Sequence, residues 1–152
     1  MGFENVTAFE GDTMRQGSLE IIRVEGIHGS NPETVRKMGT VSGFIVRCEN
    51  EKTVYIAGDT VFYDGVVRNI ETYRPEVILV NACGATTPAG RLIMNPEEAQ
   101  QVCLCAPDAL VTATHLDSVN HATVTRRDVR KFKEEKGLKQ LLIPEDGECI
   151  RL

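Results

Sequence analysis

Apolar and polar positions alternate along the first third of the chain, and the period then lengthens. Residues 4–9 (Glu-Asn-Val-Thr-Ala-Phe) alternate and predict a strand, with Gly11-Asp12 and Gln16-Gly17 bracketing a turn region. Residues 18–27 predict a second strand, ending at His28-Gly29. The stretch 29–40 is rich in Gly, Ser, Asn and Pro, so it reads as a loop with room for one helical turn. Residues 41–48 and 53–57 predict two more strands joined at Glu49-Asn50-Glu51-Lys52, an antiparallel pattern. Then Phe62, Val66, Ile70 and Tyr73 recur at helical spacing, and Pro75 stops the helix. Val77-Ile78-Leu79-Val80 is a continuous apolar run of the kind buried on both faces of a sheet.

A glycine-bearing loop follows from Asn81 to Met94. Asn95-Pro96-Glu97-Glu98 carries an N-cap, a proline at the first helical position and acids in the first turn, and Pro107 ends that helix. Residues 109–114 predict a strand closing at His115, and Thr125 with Asp128 resembles a capping box for a surface helix ending near Gly137. Leu141-Leu142-Ile143 and Cys149-Ile150-Arg151-Leu152 predict terminal strands paired across Glu145-Asp146-Gly147. The fold class is α/β: antiparallel strands, then strand–helix units, giving one mixed sheet with helices on one face.

With 152 residues, residues 1–152 read as a single domain able to bury about 70% of its unfolded surface. A net charge of −5 argues against non-specific nucleic-acid or anionic-membrane partners. The basic run from Arg126 to Lys133 is offset by Glu134 and Glu135 and reads as a solvated helix face. No apolar stretch reaches the ~18 residues of a membrane span, and no signal-peptide pattern opens the chain. Five cysteines without a CxxC pattern read as reduced thiols of a cytoplasmic protein. Most of them read as core; Cys83, in a loop near the site, is the one to watch as a nucleophile.

The chemistry gathers at strand ends. Asp59 follows the apolar run 53–57 and Gly58, which lets the backbone turn there. His28 follows a strand, His115 ends one, and His121 stands six residues further on. Neutral imidazoles with a carboxylate suit Zn²⁺, Mn²⁺ or Fe, and a carboxylate so placed can bridge two metals. Asn120 is placed either to orient His121, to bind substrate, or simply to make a turn.

Ordered stretches carry a resemblance: His28-Gly29; Lys37-Met38-Gly39-Thr40-Val41-Ser42-Gly43-Phe44; Tyr55-Ile56-Ala57-Gly58-Asp59-Thr60; Arg74-Pro75-Glu76 through Asn81; and His115 through His121 with Thr125-Arg126. Together they resemble the metallo-β-lactamase-fold hydrolases, in particular the branch similar to the ascorbate-6-phosphate lactonases. The resemblance implies a metal-dependent hydrolase of small molecules such as a lactone, ester or phosphoester. It implies metal ligands at His28, Asp59 and His121, with Asp59 the bridging, catalytic carboxylate. His115, Asn81 and Asn120 become pocket residues. Zinc is the expected metal, with manganese or iron as substitutes.

The family's His-x-His-x-Asp-His motif has no counterpart here. The expectation is therefore the C-terminal half of an αββα sandwich, a truncated or split form of doubtful activity alone. The exposed sheet face then calls for a homodimer or for a chain supplying the N-terminal half. The alternative is a non-catalytic dimeric binding module derived from that fold.

Overall fold

The computed structural model describes residues 2–151. Seven strands form one sheet in the order β1-β2-β3-β4-β5-β8-β9. Strands β1 (Thr13–Gln16), β2 (Leu19–Gly26), β3 (Val41–Arg47) and β4 (Val54–Ile56) pair antiparallel. Strands β5 (Val77–Asn81), β8 (Leu110–Thr114) and β9 (Leu141–Leu142) continue the sheet in parallel. The parallel strands are linked by α2 (Asp64–Tyr73), α3 (Pro96–Cys105) and α4 (Arg126–Lys136). Each crossover steps the same way along the sheet. Right-handed connections that all step one way lay their helices on one face.

The core shows that face. Register places Ile45, Tyr55, Ile78, Val111 and Leu141 in one row across the sheet, all buried. Val66 and Ile70 of α2, Ala99 and Val102 of α3, and Val129 of α4 belong to the same core. Tyr55 is the largest fully buried side chain, and burial pushes its phenol up to about 12. Its hydroxyl is satisfied by Asn69 at 3.3 Å. The opposite face carries Phe44, Ile56, Leu79 and Leu142 in an adjoining row, of which Ile56 is 37% exposed. Thus β5 is fully buried at Ile78 and Val80 but half-buried at Leu79, less than its unbroken apolar run predicts.

Four sequence expectations change. Residues 4–9 form no strand: β2 takes as its hairpin partner the segment just before the tight turn at Gly17, whose φ is +60°. The N-terminal segment is anchored instead by Phe9, packed edge-on against Phe44 with ring centroids 5.8 Å apart. The 29–40 stretch holds a seven-residue helix, α1 (Pro32–Met38), because Asn31 caps it and Thr34 completes a capping box. The Asn81–Met94 loop folds back as a small hairpin, β6 (Thr86–Thr87) with β7 (Gly90–Arg91). Residues 149–151 form no strand, since β9 is two residues long and pairs in parallel with β8; Leu152 lies outside the described residues.

The basic run also departs from a plain solvated face: the Arg126 side chain is only 13% exposed. Among the described residues, no helix is long and apolar enough to cross a membrane.

Candidate metal centre

The site candidates meet at the C-terminal edge of β4, β5 and β8. Gly58 makes the turn after β4. Its φ is +70°, and a Cβ there would sit 3.0 Å from the Ser42 carbonyl oxygen, so glycine serves both needs. Thr60 then stitches the turn to the segment after β2. Its hydroxyl accepts from the Ile27 N–H at 2.9 Å and donates to the Val61 carbonyl at 2.9 Å, while Val61 N–H donates to Ile27. These bonds bring His28 beside Asp59, with Nε2 3.9 Å from Oδ2.

Both side chains are oriented. Leu92 C=O lies 3.1 Å from His28 Nδ1, and a carbonyl can only accept, so Nδ1 carries the proton and Nε2 presents its lone pair toward Asp59. A second partner of this kind fixes the tautomer of metal-ligating histidines in general. Asn81, the last residue of β5, donates from Nδ2 to Asp59 Oδ1 at 2.7 Å. Thr114, the last residue of β8, donates to Asn81 Oδ1 at 2.7 Å, which sets the amide the right way round. The chain Thr114→Asn81→Asp59 leaves Oδ2 facing the His28 Nε2 lone pair, two acceptors that a cation between them would satisfy. His28 is 15% exposed and Asp59 41%, so the pair is open to solvent on one side.

Cys83 and His115 line the same edge. Cys83 Sγ lies 3.6 Å from His115 Nδ1, with Ser118 Oγ 3.3 Å from the same nitrogen. The Cys83 thiol is fully buried; burial pushes it up first, with the Asp59 charge adding to the shift. A neutral buried thiol is a poor nucleophile, so Cys83 acts here as packing around His115. His115 and Asp117 both adopt left-handed φ, +63° and +57°. Each such non-glycine residue costs about 1–2 kcal/mol that its surroundings must supply.

His121 is placed differently. Its side chain is exposed, and its partner among side chains is Asn120, Nδ1 to Oδ1 at 3.4 Å. Its backbone is anchored, accepting from the Thr86 N–H, and Cys83 C=O accepts from both Thr123 and Val124. Among the described residues, no three His, Cys, Asp or Glu side chains are grouped to hold a metal ion. Of the three expected ligands, His28 and Asp59 are the two the fold brings together, each oriented by its own partner. A third donor is not gathered beside them. The sequence reading missed Thr60, Thr114 and Leu92. The two threonines flank the named residues Asp59 and His115, but the Leu92 carbonyl has no side-chain signature.

Residues 2–116 match the model of the family described as beta-lactamase superfamily domain. The UPF0173 protein YddR of Bacillus subtilis is 38% identical over 149 residues, covering 97% of this chain and 58% of that protein. An isothiocyanate hydrolase from Delia radicum gut bacteria superposes with a TM-score of 0.89 at 31% identity, covering 95% of this chain and 59% of that one. A possible metal-dependent hydrolase from Veillonella parvula gives 0.87 at 30% identity, with 93% and 57% covered. The chain thus spans about three fifths of the length of these relatives.

Proposed function

Because this chain belongs to the beta-lactamase superfamily domain family, we propose that it carries part of the metal site of a metal-dependent hydrolase. One observation supports this above the others: His28 Nε2 faces Asp59 Oδ2 at 3.9 Å, with each side chain held by a bond on its far side. In this reading His28 and Asp59 hold the metal. The further donor comes from the 115–121 loop, where His121 is the residue expected from the sequence and His115 lies nearest the buried edge. Zinc is the proposed ion, with manganese and iron as alternatives. A bound metal of this kind lowers the pKa of its water toward neutrality and polarises the bond to be cleaved.

The chain's own residues do the rest. Asn81 and Thr114 hold the Asp59 carboxylate in one orientation. The Leu92 carbonyl keeps His28 in the tautomer that presents Nε2. Asn120 and His115 border the space a small substrate would enter. Isothiocyanates, lactones and aryl esters share an electrophilic carbon open to attack by water, and the isothiocyanate hydrolase among the structural relatives makes the first of these the one to try first.

We also propose that the site is completed by further residues, from a second copy or from a partner chain. The half-covered row Phe44, Ile56, Leu79 and Leu142 supports a covering partner on the face opposite α2, α3 and α4. Light scattering at micromolar concentration tests the dimer, and a monomer leaves the partner chain. A hydrolysis assay on a benzyl isothiocyanate, a lactone and an aryl ester tests the activity. Stripped protein is compared with protein reloaded with zinc, manganese or iron. Turnover that needs added metal and disappears in Asp59→Asn is expected. Turnover equal in Asp59→Asn, or none with any metal, favours the non-catalytic binding module.

A further inference from the structure

Arg126 does more than begin α4. Its backbone N–H reaches both Asp117 oxygens, at 3.2 and 3.3 Å, and its Nη1 reaches Asp117 Oδ2 at 3.1 Å. The same guanidinium donates from Nε to the Pro144 carbonyl at 3.0 Å and from Nη2 to Asp146 Oδ1 at 2.7 Å, with Glu145 Oε2 at 3.6 Å. One largely buried cation thus ties the loop after β8 to the segment after β9. A cavity of about 270 Å³ lies between them, with His115, Ser118, Arg126 and Asp146 on its wall.

The loop so tied is the one with two left-handed residues in three, His115 and Asp117. Leu116 between them is buried in the core. His and Asp tolerate that backbone shape better than most residues, but neither position is a glycine, so the turn still carries a cost that its contacts must offset. The Asp117 carboxylate is held on Arg126, and Ser118 Oγ braces the other side of the turn, donating to the His115 carbonyl at 3.2 Å and lying 3.3 Å from His115 Nδ1.

We propose that Arg126 is a positioning residue for His115: its fork of bonds to Asp117, Pro144 and Asp146 holds the left-handed His115–Asp117 turn in place. Lysine cannot replace it fully, since an ammonium lacks the planar fork that reaches three oxygens in different directions. The consequence for function rests on this strand edge being the site, but the ring position is measurable without metal or substrate.

The test is solution NMR on the labelled, metal-free full chain. In the wild type, the 3.6 Å approach of Cys83 Sγ to the His115 ring should give a cross-relaxation peak between the two side chains. In Arg126→Gln that peak should fall to less than half, and the His115 ring resonances should shift, while the His28 ring and Ile78 methyl resonances stay in place. In Arg126→Lys the shift should be intermediate. Unchanged His115 signals in a folded Arg126→Gln chain would overturn the proposal. So would equal displacement of His28 and His115, which marks a fold-wide effect. If Arg126→Gln does not fold, Arg126→Lys and Asp117→Asn decide in its place by the same signals. Failure here leaves metal binding at His28 and Asp59 untouched, and a chain that binds no metal still answers this question.

Discussion

His28 and His121 are both exposed to solvent to some degree, yet the fold treats them in opposite ways. His28 is locked: a carbonyl fixes one ring nitrogen, Asp59 faces the other, and Asp59 is held through Asn81 by Thr114. Asp59, Asn81 and Thr114 hang from the ends of three adjacent strands, β4, β5 and β8, and His28 reaches them from the end of β2. His121 sits on a loop whose backbone is stitched down but whose side chain, among the described residues, has its neighbour Asn120 as hydrogen-bond partner. The difference lies in preorganisation. A donor held in place loses little freedom when a cation arrives, whereas a free one must be ordered at that moment.

The comparison can be broken in order of effect. Removing a locked donor should cost most: His28→Ala or Asp59→Asn should weaken metal affinity by more than about 100-fold, beyond what loss of an outer partner does. Equilibrium dialysis against zinc measures it. Next comes the outer partner itself. Asn81→Ala should cost roughly 10- to 100-fold in the same dialysis, because Asp59 then loses its fixed orientation. A cost as large as that of Asp59→Asn would mean that Asn81 is more than an orienting residue.

His121→Ala should cost less than Asn81→Ala, since its side chain is not held ready. A loss equal to that of His28→Ala would show that the loop closes onto the metal and that the two histidines are equivalent when loaded.

The smallest effect lies at the far anchor of that loop, where Thr125 and Asp128 cap α4. The hydrogen bond from the Thr125 side chain, then that from its backbone, hold the Asp128 carboxyl below its ordinary 3.8. A carboxyl lowered by folding stabilises the fold fully above its unfolded value. That contribution is lost as pH falls through the lowered folded value. Melting temperatures of wild type and Asp128→Asn should therefore differ slightly at neutral pH and converge in acid. A gap that persists below pH ~2 would place the effect elsewhere than in the charge.

The same strands show why the site sits where it does. At their opposite ends lies a larger cavity, about 400 Å³, lined by Ile70, Arg74, Pro75, Cys105 and Asp108 among others. It has no histidine, and burial first and then Glu71 push its Cys105 thiol up, away from reactivity. Volume alone is a poor guide in a mixed α/β sheet, where the carboxyl ends of the strands collect the chemistry.

Much of this arrangement was legible in the residues. The Gly58-Asp59-Thr60 turn announces itself by an apolar strand ending at glycine, and His28 by the strand before it. The helices α2, α3 and α4 follow from spacing and caps. The expected strands that do not form lie at the chain's two ends, while two internal loops carry more structure than expected, α1 and the β6–β7 hairpin. Residues 4–9 alternate well enough for a strand, but a hairpin turn at Gly17 gives β2 a nearer partner. Residues 149–151 have strand-forming side chains, but the edge strand β9 is only two residues long and gives them little to pair with. Within the site, alternation and spacing cannot reveal that a Leu92 carbonyl holds His28, because a backbone group leaves no trace in the side-chain pattern. Nor could they separate a locked histidine from a loose one. That distinction depends on contacts between segments some 60 residues apart, such as His28 with Leu92.

The central claim is that His28 and Asp59 form a pair preorganised for a metal. Isothermal titration of chelator-stripped protein with Zn²⁺ tests it most directly, run on wild type, His28→Ala and Asp59→Asn. The account predicts saturable binding in the wild type that is lost in both variants while their melting temperatures without metal stay close to that of the wild type. Identical binding isotherms in all three proteins would contradict it.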